Sequence, residues 1–112
     1  MRVSDAIDEL KSYQELFGDL PVVLDHERYD FVPLNSTLTF DWRGDSFVGL
    51  DYQIGGDSVM KSSDLVKFLE TEDPDKFVVI MTVDLEDQAL DGVAIAPQYE
   101  TRFSKPDYFC FY

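Results

Sequence analysis

Residues 62–83, SSDLVKFLETEDPDKFVVIMTV, repeat a pattern that the chain has already used once. Residues 3–25, VSDAIDELKSYQELFGDLPVVLD, show the same order of a Ser-Asp pair, an amphipathic stretch, a breaker and a short apolar run. A Ser at a helix start can accept a hydrogen bond from an unpaired backbone N–H, and an Asp in the first turn suits the helix dipole. The Ser-Asp pairs at 4–5 and 63–64 therefore predict two helix starts that are 59 residues apart.

Each predicted helix is followed by a predicted strand. Apolar residues keep a helical period after both Ser-Asp pairs, and the helices should end at Gly18-Asp19 and at Asp73-Pro74-Asp75. The runs LPVVL (20–24) and FVVIMTV (77–83) come next. Short runs rich in Val and Ile are typical of buried strands.

A third apolar piece follows each predicted strand, near residues 32–34 and near residues 93–95. We therefore predict a helix-strand-strand pseudo-repeat with units at about 3–40 and 62–100. Chance similarity is the alternative explanation, because helix caps and Val-rich strands are common in all proteins.

The central segment, about 32–54, has the alternation of a β-hairpin. Leu38, Phe40 and Trp42 alternate with polar residues, which is the period of a strand with one face in water. Gly44 supplies the backbone freedom that a chain reversal needs, and the alternation resumes after it. The segment thus predicts two antiparallel strands.

Two helices and five or six strands predict a single α+β domain, residues 1–112, with both helices on one face of one antiparallel sheet. The tail PDYFCFY, residues 106–112, is the last predicted strand, and we expect Phe109 and Phe111 to be buried. The sheet surface under the helices is expected to include three residues, Val22, Leu38 and Val79.

The net charge restricts the class of partner. Twenty-three carboxylates, sixteen of them Asp, face nine Lys and Arg, which gives a formal charge of -14. Such a field repels nucleic acid and anionic membranes and attracts basic protein surfaces. We therefore expect a basic protein partner and no direct contact with nucleic acid or membrane. Acidity that serves only solubility, or adaptation to high salt, is the alternative.

Motifs for catalysis, phosphate binding and zinc binding are absent from the sequence, so we expect no enzyme, no cofactor and no metal. His26 lies between two carboxylates but has no nucleophile nearby, and the acidic stretch 84–91 lacks the positions of an EF-hand. A single cysteine, Cys110, excludes an internal disulfide, and no apolar run approaches the roughly 20 residues that cross a bilayer. These features favour a cytoplasmic protein.

The opening stretch VSDAIDELKSY…GDLPVVLD resembles the start of small phage and prophage proteins of unassigned role, in which a capped helix leads into a DLPVVV-type strand. The stretch SSDLVKFLETEDPDKFVVI is similar to the same signature. The resemblance implies a phage-type accessory protein acting in the host cell cytoplasm. That group includes inhibitors of host defence systems.

Two hypotheses on function follow. The first is an acidic inhibitor that imitates nucleic acid and binds a basic, nucleic-acid-handling or defence protein through two sets of carboxylates. The hairpin set is Asp41, Asp45 and Asp51, and the helix-end set is Glu70, Glu72, Asp73 and Asp75. The second is a structural or assembly module, a homodimer joined through the aromatic tail strand or through the hairpin.

Overall fold

The structure, a computed structural model, describes residues 1–26, 30–52, 59–81, 93–99 and 106–112. Two helices and seven strands occupy these ranges. In chain order they are α1 (Val3–Phe17), β1 (Val22–His26), β2 (Asp30–Pro33), β3 (Ser36–Trp42), β4 (Asp45–Asp51), α2 (Ser62–Glu70), β5 (Phe77–Ile80), β6 (Ile95–Gln98) and β7 (Tyr108–Phe111).

The strands form two mixed sheets. One has four strands in the order β2-β1-β7-β6, and the other has three in the order β3-β4-β5. Strands β1 and β7 run parallel, as do β4 and β5, whereas the remaining neighbours are antiparallel. The α+β class is confirmed, but the prediction of one antiparallel sheet of five or six strands is wrong. The prediction failed because alternation within a strand carries no information about the direction of its neighbours. Helix α2 is a crossover that brings β5 back parallel to β4.

The N-cap of each helix lies two residues before the predicted Ser cap. Arg2 and Lys61 hold the N-cap positions in extended conformation. The N–H of Arg2 donates to Oδ2 of Asp5 at 3.2 Å, and the N–H of Lys61 donates to Oδ2 of Asp64 at 3.3 Å. The two Asp therefore stabilise the helix starts as expected, while both Ser lie inside the first turn. Helix α1 ends at Gly18, whose φ of 88° is open to glycine at little cost.

The core combines one face of each helix with one face of each sheet. Tyr13 of α1 stacks on Phe109 of β7 with ring centroids 5.7 Å apart. Phe109 and Phe111 are fully buried, as predicted for the tail. The buried core residues are Val3, Ala6, Leu10, Val22, Leu24, Leu34, Val48, Leu50, Leu65, Val66, Leu69, Val78, Ile95, Phe109 and Phe111.

The three-stranded sheet is apolar on both faces, which the sequence did not predict. Val48 and Leu50 point to the helices, so Gly49 between them points away. Leu38 and Val79 lie directly opposite Gly49 and therefore share that outer face. The expectation that they lie under the helices is wrong, although Val22 does belong to the core.

Each helix starts on the strand that follows the other helix. The amide of Val78 donates to the carbonyl of Met1 at 2.8 Å, and the amide of Val22 donates to the carbonyl of Met60 at 3.0 Å. Met1, two residues before α1, is therefore fixed to β5, and Met60, two residues before α2, is fixed to β1. Both helix starts are held by contacts between distant parts of the chain.

The strand registers extend this correspondence. Val48 is paired with Val78 in the parallel β4–β5 ladder, and Phe109 is paired with Val22 in the parallel β7–β1 ladder. Strands β3 and β4, helix α2 and strand β5 are thus arranged in the same way as β6, β7, α1 and β1. The third pieces of the predicted pseudo-repeat have different neighbours, because β2 pairs with β1 whereas β6 pairs with β7.

Candidate functional site

The β3–β4 hairpin carries the first set of candidate carboxylates. Its two-residue turn consists of Arg43 and Gly44, with φ of 51° and 85°. Positive φ at both positions gives the type of turn whose twist matches the flanking strands. The ladder runs from the pair Trp42–Asp45 at the turn to the pair Ser36–Asp51 at the far end.

The hairpin set is divided between the two faces of the sheet. Asp45 and Asp51 share the outer face with Phe47, separated along β4 by about 20 Å of strand. Asp41 lies on the other face, where its Oδ1 accepts a hydrogen bond of 2.5 Å from Oγ of Ser46. Asp41 and Asp45 are exposed, and Asp51 is half-buried. The structure therefore places these carboxylates around the hairpin rather than in one row.

The helix-end set is largely engaged in ion pairs within the chain. Glu70 lies 3.3 Å from Lys11 of α1, and Glu72 lies 2.8 Å from Lys76. The hydrogen bond to Glu72 raises the pKa of the Lys76 ammonium.

Asp75 and Asp73, the last two residues of the helix-end set, also have partners within the chain. Asp75 lies 3.8 Å from the Arg2 guanidinium, which also donates to the Asp75 carbonyl at 3.1 Å. Oδ1 of Asp73 accepts the N–H of Asp75 at 2.9 Å. Across the described part of the chain, the ion pairs of the candidate carboxylates all fall on the helix-end set and none on the hairpin set. Asp41 of the hairpin set also interacts electrostatically with the Lys76 ammonium, although the two form no ion pair.

An aromatic cluster covers the outer face of the same hairpin. Phe47 stacks on Phe40 at 5.3 Å between ring centroids, and Trp42 and Phe77 lie 6.5 Å and 5.9 Å from it. We call these four rings the aromatic face. Phe47 is buried at 1% exposure, whereas the other three rings are half-buried.

Two arginines cover the ends of the aromatic face. The Arg43 guanidinium stands 4.3 Å from the Trp42 ring centroid, and that of Arg2 stands 4.9 Å from the Phe77 ring. Sequence reasoning missed this surface, because the apolar alternation of β3 was assigned to the side of the helices. The signal that identifies it is that both β3 and β4 carry bulky apolar residues on the face opposite the core.

Comparison with protein-family models, curated proteins and solved structures gave no match. Within residues 1–26, 30–52, 59–81, 93–99 and 106–112, no helix is long and apolar enough to cross a membrane. The same ranges contain no group of three His, Cys, Asp or Glu side chains that could hold a metal ion. The His26 side chain and the acidic stretch 84–91 lie outside the described residues.

The tail strand is internal. Strand β7 lies between β1 and β6 and pairs with both, so it presents no free edge to a second copy. Its Cys110 is fully buried, and burial raises the pKa of the thiol to about 11. The aromatic tail therefore belongs to the core of the protein.

Asp19, two residues after the end of α1, is hydrogen-bonded to the first turn of α2. Its carboxylate accepts hydrogen bonds from Oγ of Ser62 at 2.8 Å, from N–H of Ser63 at 2.9 Å and from Oγ of Ser63 at 2.6 Å. Desolvation by itself would raise the pKa of Asp19, but the hydrogen bonds from Ser63 and Ser62 outweigh it and hold the pKa below 3.8. This carboxylate stabilises the start of α2.

Proposed function

We propose that the chain is an acidic protein-binding module, a phage-type inhibitor that occupies the nucleic-acid site of a host defence or nucleic-acid-handling protein. Support comes from the charge of -14 together with its uneven local compensation. Three of the four carboxylates at the end of α2 form ion pairs with Lys11, Lys76 and Arg2, whereas the hairpin carboxylates form no ion pair among the described residues and Asp41 has only a longer-range interaction with Lys76.

The observation that carries the proposal is this difference between the two carboxylate sets. A carboxylate outside an ion pair keeps more of its field available to a partner, and acidic fields raise association rates with basic proteins about 10- to 1000-fold at low salt. Close charge pairs across an interface couple by about 1.5–7 kcal/mol. The hairpin set is therefore expected to contribute more to binding than the helix-end set.

A displacement experiment tests the proposal. A basic DNA-binding protein is loaded with a short fluorescent DNA duplex, and the chain is added as competitor at low and at high salt. The unmodified chain should release the duplex, and its effect should weaken steeply with salt because exposed charges are screened. Replacing Asp41, Asp45 and Asp51 together by Asn should reduce the displacement by at least about tenfold, or about 1.4 kcal/mol.

The matched control neutralises the helix-end set, Glu70, Glu72, Asp73 and Asp75, by Gln and Asn. This variant removes one charge more than the hairpin variant but should retain most of the competition. An equal loss of DNA displacement in both variants would show that only the net charge of the chain determines the competition. Full competition by the hairpin variant would contradict the proposal.

The homodimer alternative loses the feature that suggested it, since Phe109 and Phe111 are buried in the chain's own core. A second copy could still meet the hairpin, and the mass of the protein in solution decides this.

A further inference from the structure

The free edges of the two sheets differ in how well they are protected. Strands β2 and β6, the edges of the four-stranded sheet, have four residues each and contain Pro33 and Pro97. Short edges and prolines are the means by which proteins prevent further strand pairing. Strand β5 is partly covered, because Met1 and Arg2 pair with its first residues.

Strand β3 has none of these protections. It has seven residues, Ser36–Trp42, without Pro, Lys or Arg, and it is the terminal strand of its sheet among the residues that the structure describes. Every second backbone N–H and C=O of such a strand points away from its single neighbour. The edge is therefore a template for one more strand.

The side chains of β3 specify what that strand must carry. Leu38, with 37% exposure, and Phe40 and Trp42 lie on the outer face. Thr37, Thr39 and Asp41 alternate with them on the other face. Directly opposite side chains in neighbouring strands contact each other, so an added strand needs apolar residues on one face and polar or positive residues on the other.

Charge selects between a partner and a second copy. Two copies would each bring a charge of -14, and the added strand would lie beside Asp41 with Asp45 at the adjacent turn. A segment with Lys or Arg at alternate positions places its cations on the face that carries Asp41, whereas another copy brings further carboxylates.

We propose that the edge of β3 docks an extended basic segment of the partner, in which apolar residues alternate with Lys or Arg, as a fourth strand of the three-stranded sheet. This inference rests on the proposed function and names the part of the partner that is bound. Backbone hydrogen bonds along β3 supply affinity, and the alternating contacts with Leu38 and Phe40 on one side and Asp41 on the other supply specificity.

The probe is a synthetic peptide of alternating Lys and Val, used below the concentration at which it self-associates. A peptide with the same composition in two blocks is its matched control. Trp42 is the only tryptophan, so its fluorescence reports events at β3 directly. The alternating peptide should change Trp42 emission and bind at least about tenfold more tightly than the block peptide, and it should slow hydrogen exchange at alternate amides of β3.

Leu38→Lys should weaken binding of the alternating peptide at least about tenfold, because it puts a positive charge and a polar head in the apolar row. Leu16→Lys, at a position of 72% exposure on α1, makes the same change elsewhere and should leave binding unchanged. Circular dichroism of both variants verifies the fold.

Equal binding of the two peptides with unprotected β3 amides would overturn the docking inference and leave an electrostatic binder, with the proposed function intact. Protection of β3 in the free protein together with a doubled mass would assign the edge to a second copy and also overturn the inference. The DNA displacement experiment tests the proposed function separately.

Discussion

The amide of Val3 donates to the carbonyl of Lys76 at 2.8 Å, and this bond has a counterpart of the same length from Ser62 to Leu20. The donors are 59 residues apart in sequence and the acceptors are 56 residues apart. Each helix is thus attached at its first residue to the segment that follows the other helix. Neither helix-strand unit is bonded only to itself, so loss of one helix start should loosen the strand of the other unit.

Removal of the Asp19 carboxylate should destabilise α2. Asp19→Ala leaves the first-turn donors of Ser62 and Ser63 without their acceptor and should lower the free energy of unfolding by about 1–2 kcal/mol at neutral pH. Because the folded pKa is lowered, the contribution of the carboxylate is complete above pH 3.8 and is lost as the pH falls through the lowered value.

Urea unfolding of both proteins at neutral and at acid pH measures this difference, which should shrink at acid pH. Asp75→Ala is the control, since the Asp75 side chain contributes only an exposed ion pair with Arg2 and should have a much smaller effect. A constant difference between Asp19→Ala and the unmodified protein at all pH values would contradict the assigned role.

Removal of a buried aromatic side chain from the tail strand should strongly destabilise the protein. Phe109→Ala removes a fully buried ring that stacks on Tyr13, and we expect a loss of about 3–5 kcal/mol. Tyr112→Ala, at 54% exposure, should change stability little. Thermal and urea denaturation compare the two. Similar curves for both variants would show that β7 is not central to the core.

Cys110 should be unreactive in the folded protein. With a pKa of about 11, only about one thiol in a thousand is ionised at pH 8, and the thiolate is the reactive species. A colour-forming thiol reagent should therefore label the chain slowly in buffer and rapidly in denaturing urea. Cys110→Ser, which has no thiol, is the blank. Rapid labelling of the unmodified protein in buffer would mean that β7 opens readily.

The aromatic face can be tested through Trp42. Phe47→Ala removes the central ring of the cluster, so Trp42 should become more exposed to water and its emission should shift to the red. Phe31→Ala, at a position of 48% exposure on β2, is the control and should leave the emission unchanged. An unshifted spectrum in Phe47→Ala would show that other groups determine the environment of Trp42.

The sequence alone determined the features that depend on neighbours along the chain. The helix of residues 3–17 ends at Gly18 as its breaker indicates, the hairpin reverses at Gly44, and Phe109 and Phe111 are buried, as predicted for two large apolar side chains that would otherwise form an exposed patch. Each depends on backbone geometry or periodicity within a few residues, which is local information.

Only the tertiary structure decided which strands are neighbours and which carboxylates remain unpaired. Pairing of β1 with β7, and of Arg2 with Asp75, joins residues far apart in sequence. Periodicity states that a strand has an apolar face but not which element covers it, so Leu38 was assigned to the wrong face of its sheet. The path of the chain, including the α2 crossover, determines these contacts, because it sets which surfaces meet.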